Sequence, residues 1–291
     1  MPEAEPRLDF RDMTETDVED GLRLSRASGW NQTVEDWRLL LSLGPGLFRV
    51  AVDDGRIVAS GGAVRYGDAL AWICMILVDP ARRGHGIGRR VFDDVLERTD
   101  APVRAGGLRV VGLDATPAGR GIYLQRGFSD GPELLRMSIA PKGAGAAPGA
   151  VRTMEPSELE VVLARDRQVF GADRAPVLRW AFEQAPELAW IVRLGDRVVG
   201  YCFGRQGDHS AHVGPVVAED RATALDLVRA CLSRPRGRPL ILDARAEPSW
   251  LQALDALGFR VRRAFTRMYL GDARPPAQPE RERAVFGPEF G

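Results

Sequence analysis

Apolar residues along the chain fall into short runs and alternating stretches separated by turn residues, and the same succession occurs twice. FRVAVDDGRIVASGGA at 48–63 and WIVRLGDRVVGYCFG at 190–204 both predict strand, turn, strand. LDATPAGRGIYLQRGF at 113–128 parallels LDARAEPSWLQALDALGF at 242–259, each predicting a strand, a short helix and a Gly-Phe turn into a final strand. The chain therefore contains an internal duplication.

Between these anchors each half carries an apolar strand followed by a helix. The pairs are LAWICMILV with GIGRRVFDDVLERT, and HVGPVVAE with RATALDLVRACLS. Each half also opens with helices, and in NQTVEDWRLLLSLG the spacing of Thr33 and Asp36 predicts a capped helix start. Strands and helices mixed within each half predict an α/β (α+β) fold.

The length of 291 residues predicts two domains, at about 150 residues each. PKGAGAAPGA at 141–150 has the composition of a linker, so we expect domains at 1–140 and 151–273. The segment 274–291 is rich in proline and charge, which predicts a flexible tail whose Val285, Phe286 and Phe290 could dock on a neighbouring surface.

The balance of charge narrows the classes of partner. Lys plus Arg equals Asp plus Glu at 40 each, which gives no reason to expect nucleic acid or an anionic membrane as a partner. The N-terminal residues lack the pattern of a signal peptide, and the longest apolar run has ten residues, against about 18 for a membrane span. We expect a soluble cytoplasmic protein.

The residues that commonly bind metals are sparse. Cys74, Cys202 and Cys231 lie far apart, which indicates neither a disulfide framework nor a zinc site, and Cys74 and Cys202 fit buried apolar runs. His209 and His212 have no nearby third ligand, so a loop at a strand start is the favoured interpretation. We expect no metal.

The segment LVDPARRGHGIGRRVF at 77–92 carries the strongest chemical signal. A strand, a glycine-rich turn and a helix start together form an anion site, because the first turn of a helix has N–H groups without intrahelical partners. The spacing fits neither the phosphate loop GxxxxGK[ST] nor the dinucleotide fingerprint GxGxxG. The alternative is a plain turn with solvated arginines.

These residues resemble the GNAT superfamily of N-acetyltransferases, whose acetyl-CoA motif is [R/Q]xxGx[G/A]. Arg83, Gly86 and Gly88 match that motif. Thr116 stands where the family often has Asn, Tyr123 follows seven residues later, and Gly127-Phe128 comes next. The resemblance covers about residues 7–140.

The resemblance implies two tandem GNAT-like domains, each with a mixed, mostly antiparallel sheet flanked by helices. It also implies Tyr123 as the general acid and the Val78 N–H as the donor to the thioester oxygen. The implied acetyl-CoA contacts are Leu77, Val78, Arg83, Gly84, His85, Gly86, Ile87, Gly88, Arg89, Thr116 and Gly119.

The second half lacks both the glycine cluster and the tyrosine. GPVVAEDRATALDLV has no glycine cluster, and Leu254 stands five residues before Phe259, where the first half has Tyr123 before Phe128. The second half is therefore similar to a degenerate GNAT domain, which serves as a wall of the acceptor pocket or as a scaffold.

The general base is not identified by the pattern. Histone-type members carry a Glu eleven residues before the motif, and Trp72 stands there. The carboxylate candidates are Glu35, Asp36 and Asp114, with a water chain as the alternative. Trp72 and Trp30 are candidates for lining an acceptor pocket.

The sequence thus predicts an acetyl-CoA-dependent N-acetyltransferase acting on a primary amine of a small molecule, with an aminoglycoside as one acceptor type. Protein or peptide acetylation, longer acyl donors and a non-catalytic acyl-CoA-binding module stay open as alternatives. So does a homodimer.

Overall fold

The structure is a computed structural model that describes residues 8–104, 109–141, 147–233, 237–271 and 273–291. The chain forms two compact units, Met1–Leu113 and Asp114–Gly291. Among the helices in these ranges, none combines the length and apolar content that a bilayer span requires.

The first unit is a five-stranded sheet with three helices. Its strand order is β1-β2-β3-β4-β5, antiparallel except for the parallel pair β4–β5. The elements are β1 Asp9–Asp12, α1 Val18–Ala27, α2 Val34–Leu43, β2 Arg49–Asp53, β3 Arg56–Tyr66, β4 Leu70–Val78, α3 Ile87–Arg104 and β5 Val110–Ala115.

Local sequence signals explain the start of these elements. Thr33 and Asp36 form the predicted capping box at α2. Asp54 and Gly55 both have positive φ, at 47° and 76°, as a tight turn between β2 and β3 requires. Val91 and Val95 are fully buried where α3 packs on β2, β3 and β4.

The second unit is built on an eight-stranded sheet in the order β12-β6-β11-β13-β10-β9-β8-β7. Its only parallel pair within the described ranges is β10–β11. The elements are α4 Pro117–Leu124, β6 Phe128–Ile139, β7 Val151–Thr153, α5 Leu159–Phe170, α6 Ala175–Gln184, β8 Trp190–Leu194, β9 Arg197–Gln206, β10 Ala211–Ala218, α7 Arg221–Leu232, β11 Leu240–Arg245, α8 Pro248–Leu257, β12 Arg260–Leu270 and β13 Glu282–Val285.

In this unit, the last strand of the first half of the sequence joins the sheet of the second half. β6, the last strand of the first half, lies between β11 and β12 of the second half. Arg136 on β6 makes a bidentate ion pair with Asp243 on β11, with both N–O distances 2.8 Å. Arg267 on β12 makes the equivalent pair with Asp114, at 2.9 Å. Leu-Asp-Ala and Arg-Met recur at both places in the sequence, so the pairs are related by the duplication.

The observed units differ from the predicted domain boundaries. The division lies between Leu113 and Asp114 instead of within 141–150, because β6 pairs with strands of the second half. Residues 142–146 of the predicted linker lie outside the described residues. The predicted class, mixed mostly antiparallel sheets flanked by helices, is confirmed.

The predicted flexible tail at 274–291 is wrong for most of its length. Its strand β13 pairs with both β10 and β11. Val285, Phe286 and Phe290 are buried, and the rings of Phe286 and Phe290 lie 5.2 Å apart. The high proline and charge content suggested disorder, whereas the docking considered for Val285, Phe286 and Phe290 is the arrangement that the structure shows.

The three cysteines and His212 are buried. Cys74, Cys202 and Cys231 are buried, as expected for Cys74 and Cys202. His212 lies within β10, not in a loop, and its Nε2 is 3.0 Å from the Asp243 carboxylate. Burial lowers the pKa of His212, against the opposing effect of the Asp243 carboxylate.

We expect Phe290→Ala to lower the free energy of unfolding by about 3–5 kcal/mol, because it empties a fully buried site. Leu194→Ala is the control: Leu194 is 70% exposed, so its loss should cost less than about 0.5 kcal/mol. Denaturant titration of both variants measures the difference. Equal values for the two variants would show that the C-terminal segment does not pack.

Candidate active site

The loop after β4 is held in place by the carboxylate of Asp79. This side chain accepts the Ala81 N–H at 3.1 Å and caps a short 3₁₀ helix, Pro80–Arg82. It also pairs with Arg23 at 3.0 Å and Arg56 at 3.2 Å. Against the effect of burial, the Ala81 N–H and the two guanidinium groups lower the pKa of Asp79. The loop therefore leaves β4 in a fixed direction.

The glycines after this turn shape the predicted anion site. Gly84 and Gly86 have φ of 85° and 71°, and a Cβ on either would meet no atom within 4 Å. The Arg90 N–H donates to Gly86 O as the helical bonds of α3 begin, so earlier N–H groups of that turn have no intrahelical partner. The backbone at these glycines is open, and the N–H groups of the helix start give this side of the turn a positive polarity.

The other predicted loop residues divide between anchors and exposed groups. Leu77 and Ile87 are buried, and a Cβ on Gly88 would lie 3.2 Å from Val78 Cγ2, so the start of α3 packs closely on β4. The Arg83 guanidinium donates to Val78 O at 3.2 Å and to Ser28 Oγ at 3.1 Å. His85 and Arg89 are exposed.

A bulge in β4 sets the direction of the Val78 N–H. Met75 has φ of 57°, and the register of β4 on β3 shifts there. The Asp79 N–H donates to Val58 O at 2.8 Å, and Val78 lies opposite Ala59. Since N–H groups alternate along an antiparallel pair, the Val78 N–H points away from β3. The pairing of β4 with β5 ends at Trp72 opposite Gly112, so this N–H lies beyond the β4–β5 ladder.

Tyr123 lies on α4, in the second unit. Its ring folds back over Gly119, where a Cβ would lie 3.0 Å from the Tyr123 hydroxyl, and its centroid is 6.3 Å from that of Phe128. Gly119 thus leaves room for the hydroxyl. Burial raises the pKa of Tyr123 to about 12, so the hydroxyl keeps its proton throughout the neutral range.

Thr116 occupies the N-cap position of α4, with an extended backbone at φ −72° and ψ 158° and Pro117 following it. Its side chain makes no capping hydrogen bond there, in contrast to Thr33 at α2.

The candidate bases all have structural partners. Asp114 is fully buried in its pair with Arg267, and Asp36 accepts the Thr33 N–H at 2.7 Å in the capping box. Glu35 is half exposed beside Arg38. None of the three is a free carboxylate facing an open site.

The two tryptophans proposed for an acceptor pocket differ in exposure. Trp72 is 1% exposed and belongs to the core at the last rung between β4 and β5. Trp30 is half-buried. Within the described residues, no group of three or more His, Cys, Asp or Glu side chains is placed to hold a metal ion.

Two residues of the site escaped the sequence analysis. Asp79 had a visible signal, an Asp-Pro pair after a strand, which is typical of a helix start. The bulge at Met75 had an indirect sequence signal, the glycine at position 61 on the facing strand β3. A Cβ on Gly61 would lie 2.6 Å from Ile76 Cδ1.

Comparison with known families gives two matches. A family model described as an acetyltransferase (GNAT) domain matches residues 44–130, and a second model with the same description matches residues 162–287. The first match contains the loop after β4, and the second contains β10, β11 and β13.

Two relatives are similar to most of the chain. The holothin acyltransferase of Pseudoalteromonas sp. (strain SANK 73390) is 26% identical over 267 residues, which are 91% of this chain and 88% of that protein. The uncharacterized N-acetyltransferase YitH of Bacillus subtilis (strain 168) is 23% identical, covering 82% of this chain and 83% of its own length.

Solved structures share the fold. A putative acetyltransferase from Pyrococcus horikoshii superposes with a TM-score of 0.78 at 20% identity, covering 98% of this chain and 96% of that one. A tandem GNAT protein from the clavulanic acid biosynthesis pathway gives 0.57 at 16% identity, covering 92% of this chain and 100% of that one.

We expect Asp114→Asn to lower the free energy of unfolding by about 3–5 kcal/mol, because it leaves the Arg267 charge buried without its partner. Glu35→Gln, at an exposed helix start, should change it by less than about 0.5 kcal/mol. Urea titration compares the two. An Asp114→Asn protein as stable as the unmodified chain would show that the ion pair does not stabilise the fold, and Asp114 would again be a candidate for a functional role.

Proposed function

We propose that this chain, which belongs to the GNAT acetyltransferases and carries two of their domains in tandem, transfers the acetyl group of acetyl-CoA directly to a primary amine of a small molecule. The observation that carries the proposal is the combination of a backbone anion site after β4 with the outward Val78 N–H at the end of the same strand.

The residues after β4 fit the chemistry of acetyl-CoA. A pyrophosphate needs several N–H donors and close approach to backbone, and the open surfaces at Gly84 and Gly86 before α3 offer both. The residues proposed to hold acetyl-CoA as a whole are Leu77, Val78, Arg83 to Arg89, and, on α4, Thr116 and Gly119. Acetyl-CoA, when bound, supplies the acetyl group as a thioester.

The chain's own groups then have distinct proposed roles. The Val78 N–H donates to the oxygen that gains negative charge during acyl transfer. The Tyr123 hydroxyl protonates the sulfur as the carbon–sulfur bond breaks and the carbon–nitrogen bond forms. An alkyl amine has an ordinary pKa of about 10.4, so it must lose a proton first, and water is the proposed carrier because the carboxylate candidates are engaged elsewhere.

The relatives support a small-molecule acceptor. One is named for the acylation of holothin, and a structural neighbour comes from the clavulanic acid biosynthesis pathway. We therefore place small amines first, aminoglycosides among them, ahead of protein or peptide acceptors. A thiol-release assay across amines, aminoglycosides and peptides identifies the acceptor class, and release with peptides alone would overturn this order.

Gly86→Val should abolish the thermal stabilisation by acetyl-CoA. The substitution strains a backbone with φ of 71° and fills the surface that the pyrophosphate needs. Acetyl-CoA at 100 times its Kd stabilises the native state by about 2.7 kcal/mol, which differential scanning fluorimetry detects. Gly195→Val is the matched control, since Gly195 has φ of 60° and equally open surroundings in the β8–β9 turn. An unchanged shift in the Gly86 variant would place the acetyl-CoA site elsewhere.

Tyr123→Phe should lower turnover by about 10² to 10⁴ while leaving acetyl-CoA affinity unchanged, because only proton donation is lost. Since the pKa of Tyr123 is about 12, its hydroxyl stays protonated below pH 11. The alkaline limb of the pH–rate profile below pH 11 should therefore be the same in both enzymes. Steady-state kinetics over pH 6–11 measure both effects, and full activity of the variant would assign Tyr123 to the core alone.

A further inference from the structure

The second half contains a groove equivalent to the one beside Val78, and it is filled by the chain's own C-terminal segment. The Glu219 N–H donates to Val199 O at 2.9 Å, just as the Asp79 N–H donates to Val58 O. This makes Ala218 the counterpart of Val78. Ala218 lies opposite Gly200 on β9, so its N–H also points away from the antiparallel neighbour.

The two grooves open at the same rung of the sheet. β4 and β5 pair as far as Trp72 opposite Gly112, and β10 and β11 pair as far as His212 opposite Ile241. Val78 is the sixth residue after Trp72, and Ala218 is the sixth residue after His212. In the second half, β13 enters where the parallel strands part. It pairs with β10 through Val216 and Val217, and with β11 through Asp243 and Ala244.

The backbone of this segment satisfies the donors of the groove. The Ala218 N–H donates to Arg281 O at 2.9 Å. The Trp250 indole donates to Arg283 O at 3.0 Å, and the Arg245 guanidinium donates to Glu282 O at 2.8 Å. Three successive carbonyl positions, at 281, 282 and 283, are therefore recognised by groups on β10, β11 and α8.

The helix that follows β10 begins with a carboxylate cap instead of a glycine loop. The first turn of α7 is capped by the Asp220 carboxylate, which accepts the Thr223 N–H at 2.8 Å, where the first half has the glycine loop. A cleft of about 500 Å³ beside β13 is lined by charges of both signs, namely Glu219, Glu247, Glu280 and Glu282 with Arg245, Arg281 and Arg283. Carboxylates at a helix start repel an anion.

We infer that the groove between β10 and β11 is a binding site for an extended peptide backbone, occupied in cis by residues 281–285. These residues take the position that an acyl thioester arm would have between β4 and β5 if acetyl-CoA binds as proposed. The comparison with the thioester arm rests on the proposed function, whereas the peptide site rests on the hydrogen bonds of the second half alone. The site would accept the segment through main-chain bonds, as strand addition to a sheet does.

Hydrogen exchange of the full chain, resolved to single amides by mass spectrometry, tests this assignment. Without ligand, the Ala218 amide should exchange slowly and the Val78 amide rapidly. Saturating acetyl-CoA should slow Val78, by up to about 100-fold at 100 times Kd, and leave Ala218 unchanged, with one acetyl-CoA bound per chain.

The outcomes separate the two proposals. A rapidly exchanging Ala218 amide, or one that acetyl-CoA slows in parallel with Val78 at two equivalents per chain, overturns the peptide site. If acetyl-CoA changes neither amide, the proposed function fails, while slow exchange of Ala218 still supports the peptide site.

Ala284→Pro in the full chain provides a second test. Ala284 lies between β10 and β11, so proline removes a donor and clashes within the ladder. We expect the Ala218 amide to exchange at least about tenfold faster, with Val78 unaffected. Ala273→Pro, at an exposed position outside β13, is the control.

A synthetic peptide with the sequence of residues 279–291, PERERAVFGPEFG, should restore slow exchange of Ala218 when added to the Ala284→Pro chain. The same peptide with proline at the position of Ala284 should not. Unchanged Ala218 exchange in the variant, or restoration by both peptides, contradicts a backbone-specific site. If the variant does not fold, the exchange of the unmodified chain decides the question.

Discussion

Charges buried inside a protein are tolerated only where each has a partner of opposite charge. In the second unit, two reciprocal ion pairs meet this condition. Arg136 meets Asp243 and Arg267 meets Asp114, and each pair takes one residue from each half of the sequence. Against the effect of burial, Arg136 and His212 lower the pKa of Asp243, which keeps its carboxylate charged. These ion pairs join the last strand of the first half to the sheet of the second half, where it pairs with β11 and β12.

The duplication explains why one backbone design appears twice with different contents. In both halves, the parallel pair, β4–β5 or β10–β11, separates after the equivalent pair of residues. At the end of β4 and of β10, one N–H group then points away from the antiparallel neighbour. In the first half, a glycine loop with room around its backbone follows that N–H. In the second half, a carboxylate caps the helix and the C-terminal strand lies in the opening. The second half has kept the architecture of the groove and lost the features suited to a phosphate.

The proposed active site relies on backbone more than on side chains. The bulge at Met75, the fixed turn at Asp79 and the positive φ of Gly84 and Gly86 direct N–H groups toward one side of the loop. Such donors keep their orientation without side-chain rotamer freedom, which suits the binding of a charged group. It also means that residue identity matters mainly where it controls the backbone, as glycine does in the loop.

The order of elements, the capped start of α2, the glycine loop and the repeat were all determined by the sequence, because each depends on neighbours within a few residues. The same local reasoning placed Thr116 at the start of α4 but could not tell that its hydroxyl makes no cap bond. The partner of Asp114, the burial of Phe290 and the pairing of β6 with β11 were decided only by tertiary structure. Composition suggested a flexible tail, but docking depends on a gap between β10 and β11 that is formed by residues distant in the chain. Pairing across the sheet brings together groups more than a hundred positions apart, and no periodicity or spacing within a segment records which distant strand will lie beside it.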